Sequence, residues 1–115
     1  RQTRDRVEET LQLAEYLDCD VLRKGRATLI SDGHIVYGLD TGHSWAATPG
    51  SGDVLSGIAG ALLARDAQTA SLIAAATVHA VAAKLAAATE YGDATAPASR
   101  IAEFVREATA KLTHA

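Results

Sequence analysis

Residues 50–53 read Gly-Ser-Gly-Asp, and an apolar run, "VLSGIAGALLA", follows at once. Asp53 is the only acid between Asp40 and Asp66. A helix opening here would present N–H groups without intrahelical partners, and a partial positive charge with them. Such an end attracts anions. Gly50 and Gly52 have no side chains, so a phosphate could come close to the backbone. Gly50, Ser51 and Gly52 are thus candidates for an anion hole, with a positive φ expected at Gly52. Asp53, beside it, could orient or deprotonate a hydroxyl that attacks phosphorus. On these residues alone a second reading stays open. Ser51 or Asp53 could cap the helix while the glycines only make the turn. The run lacks the Gly-Lys-Ser/Thr ending of a P-loop and is not a dinucleotide fingerprint.

Other residues invite chemistry less strongly. Lys24 follows an apolar strand and is either a solvated strand end or a ligand group. His43 and Trp45 sit in a glycine-rich loop, where they could stack on a ring or close a lid. For Trp45, filling a small core is the favoured reading. His79, in "TVHAVAA", lies on an apolar helix and reads as a hydrogen-bonded core histidine. His34 is expected exposed on a hairpin. No His, Cys and Asp cluster has metal-ligand spacing, so no protein-built metal site is expected. Cys19 is the only cysteine, which excludes an internal disulfide and fits a reducing, cytoplasmic compartment. It is expected to pack against or cap the entry to a strand.

The elements that must position these groups follow from pattern. Val7, Leu11, Ala14 and Leu17 recur at helical spacing and predict an amphipathic helix over residues 4–18. "CDVLRKG" gives a short strand stopped by Gly25. "ATLI" and "HIVYG", separated by Ser31-Asp32-Gly33, predict a hairpin. Residues 39–52 form a long loop, the kind that is usually functional or disordered. Residues 53–64 are apolar almost all round and predict a helix buried on every side. Residues 67–89 are alanine-rich and form the best helix by propensity. "YGDATAPAS" breaks it, and Ser99 is expected to cap a last helix with Ile101, Phe104 or Val105, Ala108 and Leu112 facing inward. This is an α/β element list.

The chain has 115 residues, enough for one domain, and a net charge of −3 with both signs interspersed. No basic stripe suggests a nucleic-acid partner. Residues 54–88 carry Arg65, Asp66, Gln68 and Lys84 and read as two helices of a soluble fold, so no membrane association is expected. The opening "RQTRDRVEE" does not resemble a signal peptide. The sequence contains no methionine. That, and the small number of strands for the helices they must serve, predicts a piece of a longer protein. Its sheet would have an open edge, and alone it would be inactive.

"GSGDVLSGIAGALLA" resembles the C-terminal signature of the ribokinase-like superfamily. "VLRKGRAT", and "TG" followed by a short loop and "AAT", resemble one branch of it, the NAD(P)H-hydrate dehydratases, also called the YjeF C-terminal or carbohydrate kinase-related family. The resemblance runs over nearly the whole chain. It departs at His43-Ser44, where the family usually carries Asn-Pro. It implies an α/β fold with a ribokinase-like sheet flanked by helices, incomplete here, with residues 1–115 as the C-terminal portion of one domain. It implies restoration of NADH or NADPH from the hydrated cofactor at the cost of a nucleotide phosphate, from ADP or ATP, with Mg²⁺ bridging phosphates. Carried over by position, Lys24, Gly25, Arg26, Ala27, Thr28 and Gly52 would contact the nucleotide, and Asp53 would meet the substrate hydroxyl. The intact protein is expected to be a homo-oligomer. Two rivals remain: a kinase of the same fold acting on a vitamin-precursor alcohol, and a non-catalytic nucleotide-binding remnant.

Overall fold

The computed structural model describes residues 2–25 and 27–114. Helix α1 (Gln2–Leu17) lies on the sheet and buries Thr10 and Ala14. Thr10 satisfies its hydroxyl within the helix by donating to the Arg6 carbonyl at 2.7 Å. The expected inner face ends one turn early. Asp18 adopts φ +52° and closes the helix, leaving Leu17 52% exposed. Cys19 is exposed as well; its amide caps the helix by donating to the Ala14 carbonyl at 3.2 Å, but its side chain does not join the core.

Strands β1 (Val21–Arg23), β2 (Ala27–Ser31) and β3 (Val36–Asp40) form an antiparallel sheet in that order. β1 and β3 are therefore its edges, and β2, with Leu29, Ile30 and Ser31 buried, is its centre. The Asp-Gly turn forms where the sequence predicts it. Asp32 Oδ1 accepts from the His34 and Ile35 amides at 2.8 and 3.0 Å, and Gly33 takes φ +94°. His34 is exposed.

Helix α2 (Ser51–Arg65) and helix α3 (Thr69–Ala87) pack side by side. α3 is the core of the molecule. Ala75, Ala82 and Ala87 are fully buried, because methyl-sized side chains let neighbouring backbones approach. One cluster, Ile30, Leu72 and Ala76, joins α3 to the sheet. A second joins it to the C-terminal helices α4 (Ala98–Glu103) and α5 (Val105–Thr113) through Val78, Ala82, Ala83, Ala86, Ile101 and Ala108. α3 is the one helix among the described residues long and apolar enough to cross a membrane, but more than half of it is buried against protein. A two-residue hairpin, β4 (Ala88–Thr89) with β5 (Gly92–Asp93), follows it.

Three sequence expectations change here. α2 is not buried all round: only Ser51 and Leu55 are buried, and Ser56, Gly57, Gly60, Ala61 and Ala64 face outward. Its outer face is tolerated because glycine, serine and alanine expose little apolar area. Ser99 is not a cap. The last helical segment opens after Pro97, with no side-chain cap, as suits a residue whose φ is already helical. That segment also breaks at Phe104 (φ −91°, ψ 0°) into α4 and α5, and Leu112 ends 41% exposed.

Candidate functional site

The turn between β1 and β2 is closed by its own residues. Thr28 Oγ1 donates to the Gly25 carbonyl at 3.0 Å and accepts from the Gly25 amide at 3.4 Å. The Thr28 side chain is buried, so its hydroxyl shapes the turn. Arg6, which the sequence reading passed over, braces the same turn. It donates to the Ala27 carbonyl at 3.4 Å, and a Cβ on Gly25 would lie 3.0 Å from its guanidinium. A larger residue there would crowd the Arg6 guanidinium. Arg26 lies outside the described residues.

From this turn Lys24 reaches across to the long loop, donating to the Ala46 carbonyl at 2.9 Å. Partial burial lowers its pKa from the ordinary value. The loop is held from its other side by His43. A backbone amide only donates and a carbonyl only accepts, so the two contacts fix the ring. Nδ1 accepts from the Trp45 amide at 3.2 Å, and Nε2–H donates to the Ala80 carbonyl of α3 at 3.1 Å. Both ring nitrogens are engaged, and His43 is an anchor. Trp45 packs against the α3–α4–α5 cluster, in line with the core-filling reading. Thr48 Oγ1 is buried without a hydrogen-bond partner among the described residues.

The start of α2 does not match the capping reading of Gly-Ser-Gly-Asp. The cap residue is Gly50, at φ +85°, and no side chain among the described residues caps the helix. Ser51 turns inward, fully buried, and meets His79. Asp53 is exposed, and its carboxylate has no hydrogen-bond or ion-pair partner among the described residues. Neither residue is a cap. The left-handed conformation expected at Gly52 sits at Gly50 instead, because the chain reverses before the helix, not inside its first turn. The Ser51, Asp53 and Val54 amides all donate to carbonyls of Thr48 and Gly50. The Gly52 amide has no such partner among the described residues, and nothing stands within 4 Å of where a Gly52 side chain would begin. One open donor thus lies next to one unpaired carboxylate.

A cavity of about 340 Å³ lies between these parts, lined by Lys24, Gly25, Thr28, Thr41, His43, Ser44, Ala46, Ala47, Leu55, Ala76, His79 and Ala80. It gathers Lys24, Gly25 and Thr28. Gly50, Ser51, Gly52 and Asp53 do not line it. They are joined to it through His79, whose buried ring is on its wall and bonded to Ser51. Burial lowers the His79 pKa below 6.5, the Lys24 ammonium lowers it further, and the bond to the Ser51 backbone opposes both. His79 is therefore the hydrogen-bonded core histidine the sequence suggests, with a partner that no local pattern reveals. No carboxylate lines the cavity, and no group of three His, Cys, Asp or Glu among the described residues could hold a metal ion.

The chain belongs to the NAD(P)H-hydrate dehydratase family, which it matches over residues 1–106. It is 44% identical to the bifunctional NAD(P)H-hydrate repair enzyme Nnr of Corynebacterium glutamicum, an alignment covering 95% of this chain and 22% of that protein. It is 50% identical to the enzyme of the same name from Mycobacterium leprae, over 94% of this chain and 24% of that protein. The Mycobacterium tuberculosis enzyme is 59% identical over 52% of this chain and 13% of its own length. The chain thus spans less than a quarter of the length of these relatives. No solved structure matches it.

Proposed function

We propose that residues 1–115 are the C-terminal portion of a ribokinase-like dehydratase domain that restores hydrated NADH and NADPH in the cytoplasm, using ADP or ATP. The observation that carries this reading is a chain of contacts: Lys24 and His79 line one cavity, and His79 is bonded to Ser51, the neighbour of the Gly52 amide and of Asp53. Lys24, Gly25, Ala27 and Thr28, with Arg26, form the nucleotide side. Gly50, Ser51 and Gly52 receive the terminal phosphate. Asp53, free of any capping bond, takes the proton from the hydroxyl of the hydrated ring as its oxygen bonds to phosphorus. The nucleotide leaves one phosphate shorter. The new bond is oxygen to phosphorus; the ring's own carbon–oxygen bond then breaks, phosphate departs with the oxygen, the neighbouring ring carbon gives up a proton to water, and the double bond returns. The cavity has no carboxylate to offer Mg²⁺, so the ion would be carried on the nucleotide's own phosphates.

The test uses the complete enzyme that contains this segment. It is incubated with hydrated NADH and either nucleotide while the reduced-nicotinamide absorbance is followed. Nucleotide-dependent recovery supports the reading. No recovery, with stable phosphorylation of a vitamin-precursor alcohol instead, would favour the kinase. Nucleotide binding unchanged by Asp53→Asn, with no turnover of either substrate by wild type, would mark a non-catalytic remnant.

A further inference from the structure

The first turn of α2 is held in an unusual way. Its cap is a glycine with no side chain to offer. Among the described residues, the side chain that ties it to the rest of the fold comes from His79, 28 positions along the sequence on α3. His79 Nε2 lies 2.9 Å from Ser51 Oγ and 3.0 Å from the Ser51 carbonyl oxygen. The carbonyl can only accept, so Nε2 carries the proton and donates. The hydroxyl is then a second acceptor for the same proton and keeps its own to donate. Ser51 and His79 are both buried, at 0% and 3% exposure, so water does not substitute for either bond.

We infer that His79 is a positioning residue for the phosphate end of the site, fixing the Ser51 backbone and hydroxyl and, through them, the Gly52 amide and the Asp53 carboxylate. This rests on the reading of the α2 start as the phosphate-receiving turn. The geometry makes the role specific. Ser51 is one residue from the open amide and two from the acid, so a slackened Ser51 moves both together. His79 also stands on the cavity wall with Lys24, so one ring couples the two halves of the site. A displacement of about 1 Å in such a constellation costs roughly a hundredfold in rate. Nothing in this role requires His79 to touch the substrate.

The test compares His79→Leu with His79→Gln in the complete enzyme. The glutamine carboxamide places an N–H donor close to the position of Nε2; leucine fills the space without one. Leu is expected to lower kcat about 10- to 100-fold per folded molecule, while the KM for hydrated NADH moves little. Gln is expected to recover most of that loss. Independently of activity, the Asp53 and Val54 amides should exchange hydrogen faster in the Leu variant and at near wild-type rates in the Gln variant. Leu with wild-type kcat and exchange, or Gln no better than Leu, would overturn the proposal. If Leu does not fold, nitrogen chemical shifts of the wild-type imidazole decide: Nε2 without its proton would overturn it. Wild type without nucleotide-dependent recovery would sink the proposed activity instead, while the exchange rates would still report on the tether.

Discussion

Lys24 Nζ donates to the Ala46 carbonyl oxygen at 2.9 Å, pinning the β1–β2 turn to the loop that leads into α2. Lys24 therefore lines the 340 Å³ cavity and is not a free strand end. Replacing it by methionine keeps the aliphatic stem and removes both the bond and the charge. Nucleotide affinity in the complete enzyme is expected to fall about 10- to 100-fold, the size of a charge-assisted hydrogen bond. Calorimetry with ADP and ATP measures it. Unchanged affinity would place the phosphates elsewhere.

The glycines of the turn should behave differently from each other. Gly50 holds φ +85°, and a Cβ there would stand 3.3 Å from the Ala98 Cβ of α4. Gly50→Ala is expected to cost about 1–2 kcal/mol of stability. Gly52 has no such φ and open space at its Cβ position. Gly52→Ala should fold like the parent yet weaken nucleotide binding by crowding its amide. Urea unfolding beside calorimetry separates the two effects. A Gly52→Ala enzyme that binds normally would count against phosphate at this amide.

Much of this was legible in the chain. The Asp32-Gly33 hairpin, the alanine-rich α3 and the helix start at Gly-Ser-Gly-Asp follow from local pattern. The fate of Ser51 does not. A serine at a helix start looks like a cap, and only the fold reveals that its oxygens go to a histidine on the next helix. Leu17 and Leu112 fit their helical stripes, but a stripe says nothing about where the neighbouring element ends. The outer face of α2 is not legible in the sequence because glycine and alanine count as apolar while presenting little surface to bury. The role of Arg6 was invisible because it depends on a hydrogen bond to the Ala27 carbonyl, 21 residues away.

His79 gives a pH signature. Its folded pKa is lowered, mainly by burial and then by the facing charge of Lys24; Ser51 contributes only neutral acceptors. The unfolded chain binds the proton more tightly, so the stability this group contributes is whole above 6.5 and declines as pH falls below that value. Melting temperatures of wild type and His79→Gln should converge as pH drops from about 8 to about 5. A constant gap across that range would show that His79 does not titrate against folding.

The most direct measurement follows the substrate oxygen. Hydrated NADH carrying ¹⁸O in its hydroxyl is turned over by the complete enzyme with ADP or ATP, and the released phosphate and water are analysed. With the hydroxyl attacking phosphorus beside Asp53, the label is expected in phosphate. Asp53→Asn should slow its appearance by two to four orders of magnitude, roughly the worth of a general base, with nucleotide affinity retained. Label in water, or a near wild-type rate from the asparagine variant, would contradict the account.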